Sequence, residues 1–198
     1  MSHTFSPSVA IRSVLTRAAI ALGAVFCLTL LFATQGFAGD DFRVQFEKKT
    51  AVDRDKEDDK KYGSGVKRVE KLDFEASVSY QGIENAKGVT VTFYIIGGDH
   101  VWERKDQELY IVGTYPHEGQ EFRGGETKKY TMGPISFPDV ETRKGNTRWR
   151  SGVKFEGWVA EFAKDGKIIG RVGKTPDMAK KVERSELKTI DLSRIEFK

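Results

Sequence analysis

Four carboxylates stand at alternate positions, Asp53, Asp55, Glu57 and Asp59, the spacing with which a loop offers oxygen ligands to calcium. Such a loop needs glycine at its sixth position and a bidentate glutamate at its twelfth, but Asp58 and Ser64 stand there. Arg54, Lys56, Lys60 and Lys61 add positive charge to the same stretch, so it reads as a solvated loop rather than a metal site. Beyond residue 38 the histidines are His100 and His117, each in a turn-like context with an acid beside it, Asp99 or Glu118. Zinc needs three or four convergent ligands, and ordinary surface histidines are the simpler expectation. Neither histidine belongs to a Gly-x-Ser-x-Gly or His-Glu-x-x-His pattern, which would place a nucleophile or a zinc ion. Gly97-Gly98 and Gly124-Gly125 lack the Lys and Ser/Thr of a phosphate-binding loop. The expectation is a chain with no catalytic residue, no cofactor and no metal, and thus not an enzyme.

Aromatic residues offer a different chemistry, stacking on a ligand. Trp158 lies among apolar neighbours and is expected in the core. Trp102 and Trp149 lie in charged, loop-like contexts, Val-Trp-Glu-Arg-Lys and Thr-Arg-Trp-Arg-Ser. Aromatic residues flanked by arginine suit interfaces. Trp102, Tyr115 and Trp149 are therefore the candidate contacts for a protein partner or a glycan, with packing against the end of the fold as their rival role.

The elements that must position these side chains are strands. Leu72, Phe74, Ala76, Val78 and Tyr80 alternate with Asp73, Glu75, Ser77 and Ser79, the period of a strand that buries one face. Phe42 to Phe46 alternates likewise. Val89 to Ile96, rich in β-branched and aromatic residues, is expected to be a strand ending at Gly97-Gly98. Further strands are expected over Glu108 to Tyr115, stopped by Pro116, over Glu126 to Phe137, and over Gly152 to Phe162. Pro134 puts the strand over Glu126 to Phe137 at an edge or bulge. Asp165-Gly166 between two apolar runs predicts a hairpin into Ile168 to Val172. Thr175 caps one helix from Pro176 to about Arg184, and Ile190 to Phe197 alternates weakly as a last edge strand. Six to eight short strands with one late helix predict an all-β fold, a two-sheet antiparallel sandwich.

Residues 1 to 38 read as an export signal. Arg12 and Arg17 precede an uncharged apolar stretch beginning at Ala18, which ends at Gln35-Gly-Phe-Ala38 with small residues three before and directly at the expected cut. Retention is the rival outcome, since 18 to 39 is long enough to anchor the domain in a bilayer. The leader carries two of the 33 basic residues, none of the 29 acids and the single cysteine, Cys27. The exported portion, 39 to 198, then holds 31 basic against 29 acidic residues and no disulfide. Its interspersed charges do not form the basic face that nucleic acid demands. Phe26 before Cys27 and the apolar run after it argue against a lipoprotein.

The run Phe155-Glu-Gly-Trp-Val-Ala-Glu-Phe-Ala-Lys-Asp-Gly-Lys-Ile-Ile-Gly170, followed by Thr175-Pro-Asp-Met178, resembles the closing hairpin and helix of small exported immunoglobulin-like, pilus-associated surface proteins of mucus-dwelling gut bacteria. The resemblance covers about a seventh of the exported chain. It implies an immunoglobulin-like sandwich in the periplasm, at the outer-membrane surface or outside the cell, bound to envelope or pilus proteins or to host or mucin glycans, and it brings no catalytic residues. A polymerising pilin is cut before its apolar stretch, whereas Gly36-Phe37 follows it, so an accessory role fits better. The reading is a binding or structural protein that contacts partners, or further copies of itself, through sheet edges and loops. Its alternative is a carbohydrate-binding module.

Overall fold

The computed structural model describes residues 34–38, 41–51, 66–101, 107–144 and 146–194. The leader as far as Ala33 and the acidic run from Asp53 to Lys61 lie outside the described residues. The elements in chain order are β1 (Thr34–Ala38), β2 (Phe42–Ala51), β3 (Val66–Tyr80), β4 (Ala86–Val101), β5 (Leu109–Phe122), β6 (Thr127–Lys144), β7 (Thr147–Lys164), β8 (Lys167–Gly173), α1 (Pro176–Glu183) and β9 (Lys188–Thr189), closed by a 3-10 turn at Leu192–Arg194. The fold is all-β with one short helix, and its first strand falls within the last five residues of the expected leader.

Alternation decides which faces are buried. Leu72, Phe74, Ala76, Val78 and Tyr80 all enter the core, and so do Phe42, Val44 and Phe46 of β2 and Val89, Val91, Phe93 and Ile95 of β4. No polar or charged side chain is buried among the described residues. Strands that are not hydrogen-bonded neighbours meet across this core. Phe42 of β2 stacks on Phe162 of β7 at 4.3 Å, and Phe46 stacks on Trp158 at 4.9 Å.

Where two sheets are expected from the sequence, the strands form one hydrogen-bonded network in the order β1-β2-β3-β6-β7-β4-β5-β9, with β8 on β7. The continuity comes from two 18-residue strands, each long enough to serve two neighbours. β6 pairs with β3 from Thr127 to Glu141, and its end, Asp139 to Lys144, also pairs with Gly152 to Thr147 of β7. β7 then runs between β4 and β8. Gly152 sits at the crossing, opposite both Asp139 and His100. A Cβ there would lie 2.5 Å from the Pro138 carbonyl oxygen and 2.8 Å from Asp139 Cα, so only a residue without a side chain lets the backbones approach.

Three boundaries differ from the sequence reading. β4 continues through Gly97-Gly98 to Val101, because these glycines make room rather than a turn: a Cβ on Gly97 would lie 2.7 Å from Val153 Cγ1 and 2.9 Å from Val112 Cγ1. β5 continues through Pro116, which stands opposite Thr92 on a strand with no partner on its other side at that point among the described residues, the place where a missing N–H is tolerated. The tail forms no extended edge strand over its described part. Lys188 and Thr189 pair parallel with Tyr110 and Ile111, and the 3-10 turn follows.

The closing hairpin is built as its residues suggest. Asp165 and Gly166 take φ of +50° and +73°, a left-handed pair that Asp-Gly adopts at low cost. Thr175 Oγ1 accepts a hydrogen bond from the Met178 N–H at 3.3 Å, and Pro176 opens the helix. Met178 lies over Gly157, where a Cβ would meet its sulfur at 2.5 Å. In the pair Gly157-Trp158, the first residue thus admits the helix on one face while the second fills the core on the other.

Replacing Gly152 with alanine is expected to cost about 1–3 kcal/mol, since the clash is with main chain that has no free rotamer. Chemical denaturation checks this. An alanine at Gly88, where nothing lies within 4 Å of the built Cβ but φ is +67°, separates steric clash from conformational strain.

Candidate functional site

Of the three aromatic residues singled out as contacts, Trp149 and Tyr115 fall among the described residues. Trp102 lies outside the described residues. Trp149 stands opposite Thr142 near the tip of the β6–β7 hairpin and is described in its backbone alone. Tyr115 stands opposite Phe93 midway along β5 and packs against the core. A Cβ on Gly113 would lie 2.8 Å from Ile135 Cδ1 and 2.9 Å from Tyr115 Cε2, so both side chains occupy the space that this glycine leaves. Burial, helped by the nearby Asp73 charge, raises the Tyr115 hydroxyl pKa. Its ring is partly buried and packs against the core.

The histidines also stand apart from the sequence reading, since both lie in strands. His100 is exposed on β4, opposite Gly152. Its neighbour Asp99 accepts a hydrogen bond from the Glu108 N–H at 2.7 Å and so closes the β4–β5 connection. His117 is not an ordinary surface histidine. Its ring centroid lies 4.8 Å from that of Tyr130 and 5.9 Å from that of Phe93. Its Nε2 is buried without a hydrogen-bond partner, and burial lowers its pKa. Burial, with some help from Glu126, pushes Tyr130 up to about 12, and its hydroxyl reaches Gln120 Oε1 at 3.3 Å. β5 and β6 thus meet along this rim through side chains rather than ladder hydrogen bonds. Pro-His-Glu reads as a turn in sequence, and only the Phe93–Tyr115 register reveals the ring's surroundings. Among the described residues no three His, Cys, Asp or Glu groups come together to hold a metal ion.

The features that present bonding capacity are the sheet edges. β5 is covered on its outer side by β9 at Tyr110 and Ile111 alone, so Val112 to Phe122 has no ladder partner there among the described residues. Pro116, Glu118 and Glu121 interrupt or charge that edge. β2 pairs over ten residues with β3 on one side and over five with β1 on the other. Its inward residues are Phe42, Val44 and Phe46, and Arg43, Gln45 and Glu47 are exposed. β8 lies beside β1 and exposes Ile168 and Ile169, and Ile83 is fully exposed in the β3–β4 turn.

A shallow cleft of about 320 Å³ lies where the start of β5 meets the segment after α1. Glu108, Tyr110, Lys181, Glu186 and Lys188 line it, and the Tyr110 hydroxyl donates to Glu108 Oε2. Its charges are mixed and offer no preference for an anion or a cation. No protein family, curated protein or solved structure matches the chain.

The half-buried His117 gives stability a pH dependence. Its folded pKa lies below the ordinary 6.5, so the unfolded chain takes up the proton first as pH falls. The stability associated with a neutral His117 is complete above about pH 6.5 and is lost as pH falls through the lowered value. Urea midpoints measured from pH 7.5 to 4.5 are expected to fall less steeply in His117→Leu than in the parent chain.

Proposed function

We propose that the chain is a non-enzymatic exported binding protein, an immunoglobulin-like sandwich that makes protein–protein contacts through its edges and loops at the cell surface or on pilus-associated structures. The observation that carries this reading is the state of its edges. β5 leaves eleven residues of main chain, Val112 to Phe122, without a ladder partner on one side among the described residues. Unpaired N–H and C=O groups along a strand are a template for an added strand. The sandwich description is supported by the ring contacts between β2 and β7, which put two parts of one network face to face. Export is supported by the pattern of residues 1 to 38, and the pilus association by the resemblance over 155 to 178.

Fractionation with N-terminal sequencing tests the address. Processing at or near Ala38 and recovery in the envelope are expected, and a cytoplasmic unprocessed chain overturns export. Purified processed protein incubated with extract of its own envelope is expected to retain a protein partner in stoichiometric amount, and a strictly monomeric domain that retains none overturns the binding role. Glycan-array binding abolished by Trp102→Ala or Trp149→Ala replaces this reading with the carbohydrate-binding one.

A further inference from the structure

Two independent readings fall on the same five residues. In sequence, Thr34 to Ala38 ends the expected leader, with the cut after Ala38. In the fold, Thr34–Ala38 is β1, laid antiparallel along β2 with Thr34 opposite Phe46, Gly36 opposite Val44 and Ala38 opposite Phe42. Processing at the expected bond therefore removes a strand of the sheet. It leaves the outer edge of β2 with unpaired main-chain groups beside three buried apolar side chains, Phe42, Val44 and Phe46.

We propose that this vacated edge takes up an extended segment of a partner protein, which adds antiparallel to β2 in the place of β1. The inference rests on the export and binding reading above and names its contact. The strand β1 itself describes the occupant. Every residue opposite a buried β2 side chain is small (Thr34, Gly36 and Ala38), while Gln35 and Phe37 stand opposite the exposed Gln45 and Arg43. The partner segment is thus one with small residues at alternate positions and a free choice between them. The β2 edge suits such an addition better than the β5 edge. β5 carries Pro116, Glu118 and Glu121 and a glycine at φ +65°, Gly119, which restrict strand addition to part of that edge. The exposed positions of β2, Arg43, Gln45, Glu47 and Lys49, carry a net charge of +1.

The test uses the full chain expressed with its leader in an export-competent host and recovered in its processed form. The probe is a synthetic peptide of the sequence Ala-Thr-Gln-Gly-Phe-Ala, residues 33 to 38. Without peptide, the outward amides of β2 are expected to exchange quickly with deuterium. Saturating peptide is expected to slow them at least tenfold. Two N-methylated peptides, one blocked at Thr34, Gly36 and Ala38 and one at Gln35 and Phe37, separate strand addition from general stickiness. Alternate amides point to opposite sides of an extended strand, so one set is expected to abolish protection and the other to preserve it. Equal behaviour of the two overturns the proposal. So does Thr34–Ala38 found still attached to the exported chain, β2 protected in the processed monomer without peptide, or protection that appears only with concentration-dependent dimerisation. An envelope partner retained equally with and without saturating peptide overturns the edge assignment while the binding role stands. Peptide protection without any envelope partner supports the edge assignment and overturns the binding role.

Discussion

The fold depends on an aromatic seam between strands that share no ladder. Phe46 lies nearly parallel to Trp158 at 4.9 Å, Phe42 to Phe162 at 4.3 Å, and Phe155 reaches Phe74 at 4.9 Å. Each such pair contributes about 0.5–1.5 kcal/mol beyond the burial of its area. In a chain whose one cysteine lies in the expected leader, these contacts do the work that a cross-link between the faces would otherwise do. They also require that β2 and β7 keep their registers. A slip of one residue in either strand turns the whole apolar set outward, and Trp158 would exchange places with Gly157 or Val159.

Charged pairs on the rim mark the correct register. Arg150 donates from Nε to both carboxylate oxygens of Asp139 at 2.9 Å across the β6–β7 hairpin. Arg171 donates to Glu161 at 2.6 Å across β7–β8 and lies 3.5 Å from Glu183 on α1. Both pairs are partly buried, and an ion pair that water still reaches contributes only about 0–1 kcal/mol. Their geometry is more consequential than their energy, because each joins one specific residue on β7 to a neighbour and is lost after a shift. Glu161 adjoins Phe162, and Arg150 adjoins the strand crossing at Gly152, so polar rim and apolar seam enforce the same alignment.

The parts of the fold legible in sequence are those governed by local periodicity. Leu72 to Tyr80 alternates without interruption, and all five apolar members are buried. Thr175-Pro-Asp carries the helix start, and Asp165-Gly166 the hairpin. Signals failed where a residue type serves long-range packing. Gly97-Gly98 looks like punctuation, yet its lack of side chains serves Val153 and Val112, which are distant in sequence. Pro116 looks like a stop, but on an edge its missing donor costs nothing. His117 is flanked by Pro116 and Glu118 and is nevertheless covered by Tyr130, which arrives from another strand. The aromatic contact residues suffered the same ambiguity: Tyr115 has the composition of a ligand platform and the surroundings of a packing residue. The strand role of Thr34–Ala38 was hidden because the leader pattern explains those residues completely.

Asymmetry between the two sides of β2 makes a replaceable strand physically coherent. On its inner side the pairing with β3 runs without a break from Phe42 opposite Tyr80 to Ala51 opposite Lys71. Phe42 is further held by Tyr80 at 5.0 Å, Phe122 at 5.5 Å and Phe162 at 4.3 Å. These contacts come from three other strands, so the shape of the β2 edge does not depend on what covers it. An edge that stays ordered when uncovered loses little conformational entropy on binding, and preorganisation of this kind favours affinity. The reverse holds at β5, where the covering strand β9 spans two residues and His117 sits unsatisfied at the rim. The burial of Phe42, Val44 and Phe46 thus has two consequences at once: it fixes the seam, and it holds rigid the strand whose free side the proposed partner segment would occupy.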